Sequence, residues 1–507
     1  MSGLLRSLAP VRALALVAVY AGLLFGATHL PTPINVAQPT SPAARITNHA
    51  DPLTRTRSIC PGPEALGVEG LPGSPAQTVS VAAASAPVAS LPSGFVTGAG
   101  DGSLTLSGLP SGGTWPAPVT VRGQVVSGQV STPRSALVAG AGAMAPGTVA
   151  TQWSLTTKGT SRGLVTSACI PGAESSWLIG GGAAPGRLEH LVLANPGPNP
   201  VTVDVSVFGA KGRIESPNGQ GLVVAGYGRT VILLDAIAES EPSPVVHVTA
   251  RGGKVAAVLS DTWLDGLVSR GGDDVVPQAP PAREQVIAGV PIDGRAILRV
   301  GVPGDSEAVI QWSVLTASGP KPLPAGGVTR VAGGSTKDID LSSLPTGAYA
   351  VQVRGDVPVV AAVMVERRRA AGAASDLAWS TASLPVRTLA GMALPASGAE
   401  GLTQRLDLAA TKDPASVRVT TVRPGGQVST ENVAIGADSV STVPLDGATS
   451  VWVTPLSGIV RAAVLTSVTD AEGVLLSLTP LVDLSLTATP LPLRQLRDWS
   501  DQAPAQP

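Results

Sequence analysis

The chain has 507 residues, which is room for about three to four domains of ordinary size. Hydrophobic residues make up 44% of it, which excludes a disordered chain, but aromatic residues only 3%, so its cores must be built from small aliphatic side chains. A net charge of −1 without a lysine- or arginine-rich block excludes the electrostatic footprint of a nucleic-acid-binding protein.

The N-terminus has the pattern of an export signal. Arg6 and Arg12 precede Ala13 to Leu30, a segment without charged residues. Its length of about 18 residues is close to the ~20 that a membrane-spanning helix needs. We therefore predict a signal-anchor or transmembrane helix in residues 1–30, with the bulk of the chain extracytoplasmic. The alternative is a cleaved signal and a secreted protein. Residues 31–58, rich in proline, are predicted to be a linker.

A first β domain is predicted for residues 59–180, where short alternating runs such as Thr78–Val81 are separated by glycine-rich turns. It contains both cysteines of the chain, Cys60 and Cys169. An exported protein can form disulfides, so we predict a bridge between them. Two unrelated buried thiols remain the alternative.

Three repeats follow, in residues 181–285, 286–390 and 391–490, with a period of about 105 residues. That length suits a whole small sandwich of six or seven strands. The predicted fold is therefore all-β, with tandem immunoglobulin-like β-sandwich domains behind an N-terminal membrane helix. The last segment, residues 491–507, is predicted to be a tail.

Each repeat ends with a predicted β-hairpin, and the second strand of this hairpin carries two adjacent alanines. These strands are Val255 to Val258, Val360 to Val363 and Arg461 to Val464. Adjacent alanines point to opposite faces of a strand, and their small size permits close packing on both. We expect the facing sheet on one side and a neighbouring domain on the other. No sustained helical period follows residue 31, so helix is expected to be minor.

Short motifs from Arg162 to the chain end resemble an actinobacterial family of exported proteins, the domain of unknown function 5719 family. The matching words are Arg162-Gly163-Leu164, Cys169-Ile170-Pro171, Trp177 to Gly181, Leu193 to Pro196, Val203-Asp204-Val205, Ser260-Asp261, Gly271-Gly272-Asp273, Val290-Pro291 and Val359-Val360-Ala361. Ile179 departs from the aromatic residue that is usual there. The resemblance implies a membrane-tethered or secreted β protein of the cell envelope. The family has no established activity or catalytic residues, so none are assigned here.

Histidines are the first candidates for a catalytic base. His247 alternates with two valines and is predicted to face solvent on a strand. A triad of His247, Ser260 and Asp235 would need these residues to meet in the fold, and no nucleophile-elbow motif supports it. A hydrolase could instead use His190 with an acid and a nucleophile in one cleft.

Other residue clusters give weaker signals. The acidic residues Asp261, Asp265, Asp273 and Asp274 lack the spacing of an EF-hand calcium loop, so turn chemistry is favoured. Glycine runs such as Gly180–Gly182 and Gly333–Gly334 lack the context of a phosphate loop. The basic cluster Arg367–Arg369 is expected to be a solvated loop. Trp177, Trp263 and Trp379 each lie near a predicted domain junction and are expected to fill cores or interfaces.

These patterns favour a non-catalytic structural or adaptor protein of the envelope, with no enzyme activity, no cofactor and no metal. Its expected partner is an envelope protein or a cell-wall glycan, and its expected location is the cell membrane, crossed once. A glycan-binding module, or less favoured an envelope hydrolase, is the alternative. An exposed pair of tryptophan or tyrosine side chains would indicate the first, and a cleft joining a histidine to an acid and a nucleophile the second.

Overall fold

The computed structural model describes residues 51–64, 78–92, 95, 101–322, 327–370, 372–396 and 401–488, all within one compact unit, Ala50–Pro507. These residues form strands, short 3-10 turns and loops, and no α-helix occurs among them. The all-β prediction is confirmed. Over the same residues no helix is long and apolar enough to cross a membrane. The predicted anchor in residues 1–30 and the predicted tail lie outside the described residues.

The first sandwich has two antiparallel sheets, in the strand orders β1-β5-β3 and β4-β2-β6-β7. Its strands are β1 (Arg55–Cys60), β2 (Thr78–Ser85), β3 (Ser103–Leu109), β4 (Val125–Ser131), β5 (Ser135–Ala141), β6 (Thr148–Thr156) and β7 (Gly163–Ala168). β1 begins inside the range predicted as linker, and Pro52 pairs with Thr487. The linker prediction therefore extended too far, because residues 51–60 have pairing partners elsewhere in the unit.

The second sandwich has the sheets β11-β10-β14-β8, with β12 also on β10, and β13-β9-β15-β16. Its strands are β8 (Ser175–Ile179), β9 (Arg187–Ala194), β10 (Val201–Gly209), β11 (Gly212–Ile214), β12 (Leu222–Val224), β13 (Arg229–Leu233), β14 (Val245–Arg251), β15 (Ala256–Asp265) and β16 (Val268–Val275). β8 lies in the range predicted for the first domain, but it hydrogen-bonds to β14.

In the third sandwich one long strand, β23, belongs to both layers. Its first part pairs with β17 and β19, and its second part with β18 and β24. The strands are β17 (Ala282–Ile292), β18 (Arg295–Gly301), β19 (Ala308–Thr316), β20 (Gly319–Lys321), β21 (Val328–Val331), β22 (Thr336–Asp340), β23 (Gly347–Arg368) and β24 (Ser375–Thr381).

The fourth sandwich has the sheets β25-β30-β27-β28 and β29-β26-β31-β32. Its strands are β25 (Ala390–Ala393), β26 (Thr403–Ala410), β27 (Ala415–Val422), β28 (Val428–Ile435), β29 (Ser439–Pro444), β30 (Ser450–Ser457), β31 (Val460–Thr469) and β32 (Val474–Pro480). The four sandwiches share one strand order, except that the lateral sheet of the first has no counterpart of β11, β20 or β28 among the described residues. The first domain is therefore a fourth copy of the repeat. Sequence comparison missed this copy because its strand residues differ from those of the other three.

We call the sheets β4-β2-β6-β7, β13-β9-β15-β16, β22-β18-β23-β24 and β29-β26-β31-β32 the axial sheets, and the other four the lateral sheets. The lateral sheet of each sandwich packs on the axial sheet of the next. The lateral sheet of the fourth packs on the axial sheet of the first, through Trp452 and Val422 against Ala82, Ala84 and Val149. Together with the junctions between the other sandwiches, this contact closes the four sandwiches into a ring.

The last strands of the four axial sheets, β7, β16, β24 and β32, meet at the centre of the ring. Each is an edge strand, and edge N–H groups need acceptors when they are buried. Two buried carboxyl groups supply them. Asp376 accepts the N–H groups of Leu164 at 3.0 Å and Leu476 at 2.9 Å, from two different sandwiches. Asp273 accepts the N–H of Trp379 at 2.7 Å. We call this region the central axis.

The predicted closing hairpins are wrong. β14 and β15 lie in different sheets, so the glycine turn between them crosses from the lateral to the axial layer. In the third repeat the two predicted hairpin strands are parts of the single strand β23. The physical reason is burial. The outward side of β14 carries polar residues such as His247, whereas β15 is buried on both faces, as suits a strand between a core and a neighbouring sandwich.

The predicted role of the paired alanines, close packing on both faces of a strand, is confirmed. Ala462 lies in the core of the fourth sandwich, whereas Ala463 packs on the lateral sheet of the third. A Cβ on Gly289 of β17 would lie 2.9 Å from the Cβ of Ala463, and Gly289 has a φ of +69° that favours glycine. The two sandwiches approach so closely here that neither position has room for a larger side chain.

Replacing Ala463 by leucine should therefore destabilise the ring by about 1–3 kcal/mol through overpacking. Urea denaturation measures the effect. Ala434→Leu is the matched control, because Ala434 lies on the exposed face of β28 in the same sandwich. Equal stabilities of the two variants would show that the junction does not persist in solution.

The predicted disulfide is present. Cys60 and Cys169 are bonded, with their Cα atoms 4.2 Å apart and 109 positions apart in the sequence. Both cysteines pack in the core of the first sandwich, and the bond ties β1 to the segment that follows β7. A cross-link over so long a loop restricts the unfolded chain strongly.

Replacing both cysteines by alanine should lower the free energy of unfolding by about 2–4 kcal/mol. Denaturation of the double variant beside the oxidised and dithiothreitol-reduced parent measures this. The reduced parent should match the double variant, and an unchanged midpoint on reduction would contradict the expectation.

Candidate functional site

The four junctions around the central axis are equivalent in topology but differ in the side chains that lie in them. At each one, the axial sheet of the next sandwich caps one end of a sandwich core. Leucines fill two of them. Leu465, Leu476 and Leu478 extend the third core, and Leu402, Val468 and Leu475 meet Leu155 and Leu164 between the fourth and first sandwiches. In each of the other two junctions, polar side chains line a cavity. Since an apolar filling suffices to close the ring, these two are the candidate sites.

The junction of the second and third sandwiches, which we call the Arg–Trp junction, alternates arginine with tryptophan. The guanidinium of Arg270 lies 3.5 Å from the ring centroid of Trp263, and Arg187 lies 5.1 Å from the same ring. Arg187 also lies 6.0 Å from Trp379, and Arg299 lies 5.2 Å from Trp379. Cation–π contacts therefore run across the junction and set the planes of the guanidinium groups.

One buried carboxylate lies at its centre. Asp261 receives two hydrogen bonds from Arg187, at 2.8 and 2.6 Å, and one of 2.8 Å from the Trp379 indole N–H. Burial acts to raise the pKa of Asp261, but the charge and hydrogen bonds of Arg187 outweigh it and hold the pKa below its ordinary value. Burial and the charge of Asp261 raise the pKa of neighbouring Glu189 to about 7.

The remaining arginines have partners of their own. Arg270 and Arg295 share Glu366, whose side chain is buried. Arg299 pairs with Asp338 and donates to the backbone carbonyls of the loops around residues 180–181 and 242–244. A cavity of about 360 Å³ lies among these groups.

A second cavity, of about 310 Å³, separates the first and second sandwiches. Hydroxyl groups and Asp274 line it, and Asp274 accepts a 2.7 Å hydrogen bond from Gln152. Burial raises the pKa of Asp274 to about 6, although hydrogen bonds from Ser260 and Gln152 act to lower it. This arrangement could bind a polar ligand or hold a proton near neutral pH.

The structure separates the residues of the candidate triad, His247, Ser260 and Asp235. His247 lies on the lateral sheet, opposite Trp177 and Ser206, whereas Ser260 lies on the axial sheet. His190 is the cross-strand neighbour of Ser260, which in turn lies opposite Asp274. The three side chains thus share one face of the sheet, but no hydrogen bond within the described residues joins His190 to Ser260.

His247 is half-buried, whereas the sequence predicted a residue that faces solvent. Its ring stacks on Trp177, with centroids 4.0 Å apart and planes 7° apart, and its Nε2 lies 2.8 Å from the hydroxyl of Ser175. Phe208 stacks on Trp177, and the centroids of these two rings are 5.7 Å apart. Burial, and then the charge of Arg213, lower the pKa of His247 and so favour the neutral ring. We call these side chains the aromatic strip.

The other candidates have structural contacts. Asp265 pairs with Arg368, and Arg367 pairs with Asp293, so the basic cluster is largely neutralised. Of the predicted tryptophans, Trp263 and Trp379 are buried at a junction as expected, whereas Trp177 is partly exposed. Within the described residues, no group of three acidic, histidine or cysteine side chains is placed to hold a metal ion.

Sequence reasoning missed the four arginines of the Arg–Trp junction. Their main carboxylate partners are far away in the chain: Asp261 is 74 positions from Arg187, and Glu366 is 96 positions from Arg270. Arg299, for example, lies in the run Ala296 to Val300 and reaches the loops of another sandwich. The available signal was a charge inside an otherwise apolar strand, because such a charge must be paired when the strand is buried.

Comparison with known proteins identifies the family of the chain. The model of a family of unknown function, DUF5719, matches residues 125–446, which is more than half of the chain. The match starts in the first sandwich and ends in the fourth. No curated protein matches the chain. One solved structure, described as a tetra-tandem repeat in the extending region of a large adhesion protein, is 14% identical and covers 76% of this chain and 92% of its own. Its TM-score is 0.10.

Proposed function

The chain belongs to the family of unknown function DUF5719, and on that premise we propose a non-catalytic structural or adaptor role in the actinobacterial cell envelope. Residues 1–30 anchor it in the membrane, and its β domains lie outside the cytoplasm, where they meet an envelope partner. The observation that carries the proposal is the closed ring. Each sandwich packs on two neighbours through buried junctions, which makes independent motion of the sandwiches costly and suits a rigid scaffold.

Two further features support this role. The disulfide between Cys60 and Cys169 is typical of proteins in oxidising compartments outside the cytoplasm. The two ends of the described unit also lie together, since the N–H of Leu53 donates to the carbonyl of Leu486 at 2.9 Å. A chain tethered through its N-terminal segment would therefore be attached at one place on the ring and leave the other faces accessible.

The aromatic strip is the surface that we expect a partner to contact. Trp177 and His247 are partly exposed on the lateral sheet of the second sandwich, and Arg213 lies beside Phe208. Exposed aromatic and arginine side chains are enriched where proteins bind one another. The same strip supports the second candidate function, recognition of a cell-wall glycan, because sugar rings also stack on aromatic side chains.

In-cell photo-cross-linking tests the proposal. A photoreactive amino acid replaces Trp177, and in the matched control it replaces Trp312, which is partly buried on the lateral sheet of the third sandwich. Mass spectrometry then identifies the adducts. An envelope protein captured at position 177 but not at 312 supports the adaptor role, and a glycan adduct there supports the second candidate. Recovery of the chain from the cytosol with reduced cysteines would contradict both.

A further inference from the structure

We propose that the cavity of the Arg–Trp junction binds a small ligand through an oxyanion, either a carboxylate or a phosphate group. The cavity volume of about 360 Å³ lies within the range of about 300–1,000 Å³ that is usual for ligand pockets. Leucines fill two of the equivalent junctions, so ring closure does not require an opening at this one.

The tryptophans prepare the arginines for an anion. A guanidinium stacked on an indole ring keeps its N–H groups in plane and available at its edges, which is the geometry that binds carboxylate and phosphate. Arg270 lies on one side of Trp263, and Arg187 and Arg295 lie 5.1 and 5.6 Å from the same ring. The arginines are thus held in place before any ligand arrives, which lowers the entropic cost of binding.

Two of these arginines retain donors for a ligand. Arg187 uses Nε and Nη2 on Asp261, and no hydrogen bond among the described residues uses its Nη1. Arg295 stands at the mouth of the cavity with 47% of its side chain exposed, and its contact with Glu366 is 3.4 Å long. Arg270 already neutralises Glu366 from the other side. An oxyanion between Arg187 and Arg295 would therefore meet N–H groups that the protein does not fully use.

The local charge favours an anion. The four arginines of the junction pair with four acidic residues, and the longest of these contacts, 3.8 Å, joins Arg187 to Glu189. Burial raises the pKa of Glu189 to about 7, so near neutral pH this carboxyl group carries only part of a negative charge. Met364, Ile297 and Ala184 form an apolar part of the wall that can contact the body of the ligand.

Calorimetric titration of the full-length chain in detergent tests this proposal, with inorganic phosphate and glucuronate as separate probes at constant ionic strength. We expect one saturable site, with a Kd of about 1 mM or lower for at least one probe. Binding of phosphate alone identifies a phosphate source, and binding of glucuronate alone identifies a carboxylate source.

Two variants locate the site. Arg295→Gln should weaken binding about 10-fold, the loss expected for one charge-assisted hydrogen bond, and Ala184→Leu should weaken it by filling the cavity. The matched control is Arg354→Gln, because Arg354 has the same 47% exposure and a single carboxylate partner, Glu284, away from the junction. It should bind like the parent. Failure of both probes to saturate the parent, or parent-like binding by both Arg295→Gln and Ala184→Leu, would overturn the proposal.

Discussion

Replacing Arg187 by methionine is expected to lower the free energy of unfolding by about 3–5 kcal/mol. The reason is the carboxylate that it leaves behind. Asp261 is fully buried, and Arg187 is its ion-pair partner, with a shortest contact of 2.6 Å. Without the guanidinium, burial is no longer outweighed, and the pKa of Asp261 must rise. Equilibrium denaturation in urea at pH 7 measures the loss.

Two controls separate the charge from the packing. Arg187→Met combined with Asp261→Asn removes both charges but retains a side-chain oxygen for the Trp379 indole N–H, and it should recover more than half of the loss. Arg330→Met removes an exposed arginine paired with Glu307 and should change stability by less than about 1 kcal/mol. If the single and double variants at the junction are equally unstable, the loss comes from packing, and the electrostatic account is wrong.

Replacing Asp376 by alanine is expected to cost about 3–6 kcal/mol, because it orphans several buried N–H groups at once. Its carboxyl group accepts the N–H groups of Leu164, Leu476 and Leu377 at 2.9 to 3.0 Å. These donors belong to three different sandwiches, so the loss affects the central axis as a whole. Asp376→Asn keeps one acceptor oxygen and should cost clearly less. Equal losses for the two variants would show that these hydrogen bonds are not what joins the edge strands.

The same carboxyl group predicts the pH dependence of stability. Burial raises the pKa of Asp376 to about 8, although three backbone N–H groups and Arg162 act to lower it, whereas an unfolded aspartate titrates near 3.9. The folded state therefore holds the proton more tightly. Its contribution to stability is complete at low pH and is lost as the pH rises from about 4 to 8. Denaturation midpoints of the parent should fall as the pH rises from about 4 to 8, and they should fall less in Asp376→Asn. Parallel profiles would contradict the assignment.

Residues with local signals were predictable. The strand Val201–Gly209 follows directly from its alternating valines, and the cysteine pair follows from the export context. The paired alanines were interpreted correctly because a strand with small residues on both faces must be covered on both. The candidate sites were not predictable. Arg187 and Trp379 are almost 200 positions apart, and neither has a neighbour in the chain that marks its role.

The amino-acid sequence by itself determined the all-β class, the repeat, the disulfide and the membership of a family without known function. These follow from period-two alternation, composition and short motifs, which are properties of neighbouring residues. Only the tertiary structure decided that the repeats close into a ring, that the predicted hairpins cross between sheets, and that arginines and tryptophans surround a cavity between the second and third sandwiches. Ring closure depends on how the lateral sheet of the fourth sandwich fits the axial sheet of the first. That fit arises from surface shapes that meet across more than 300 residues, and no local pattern encodes it.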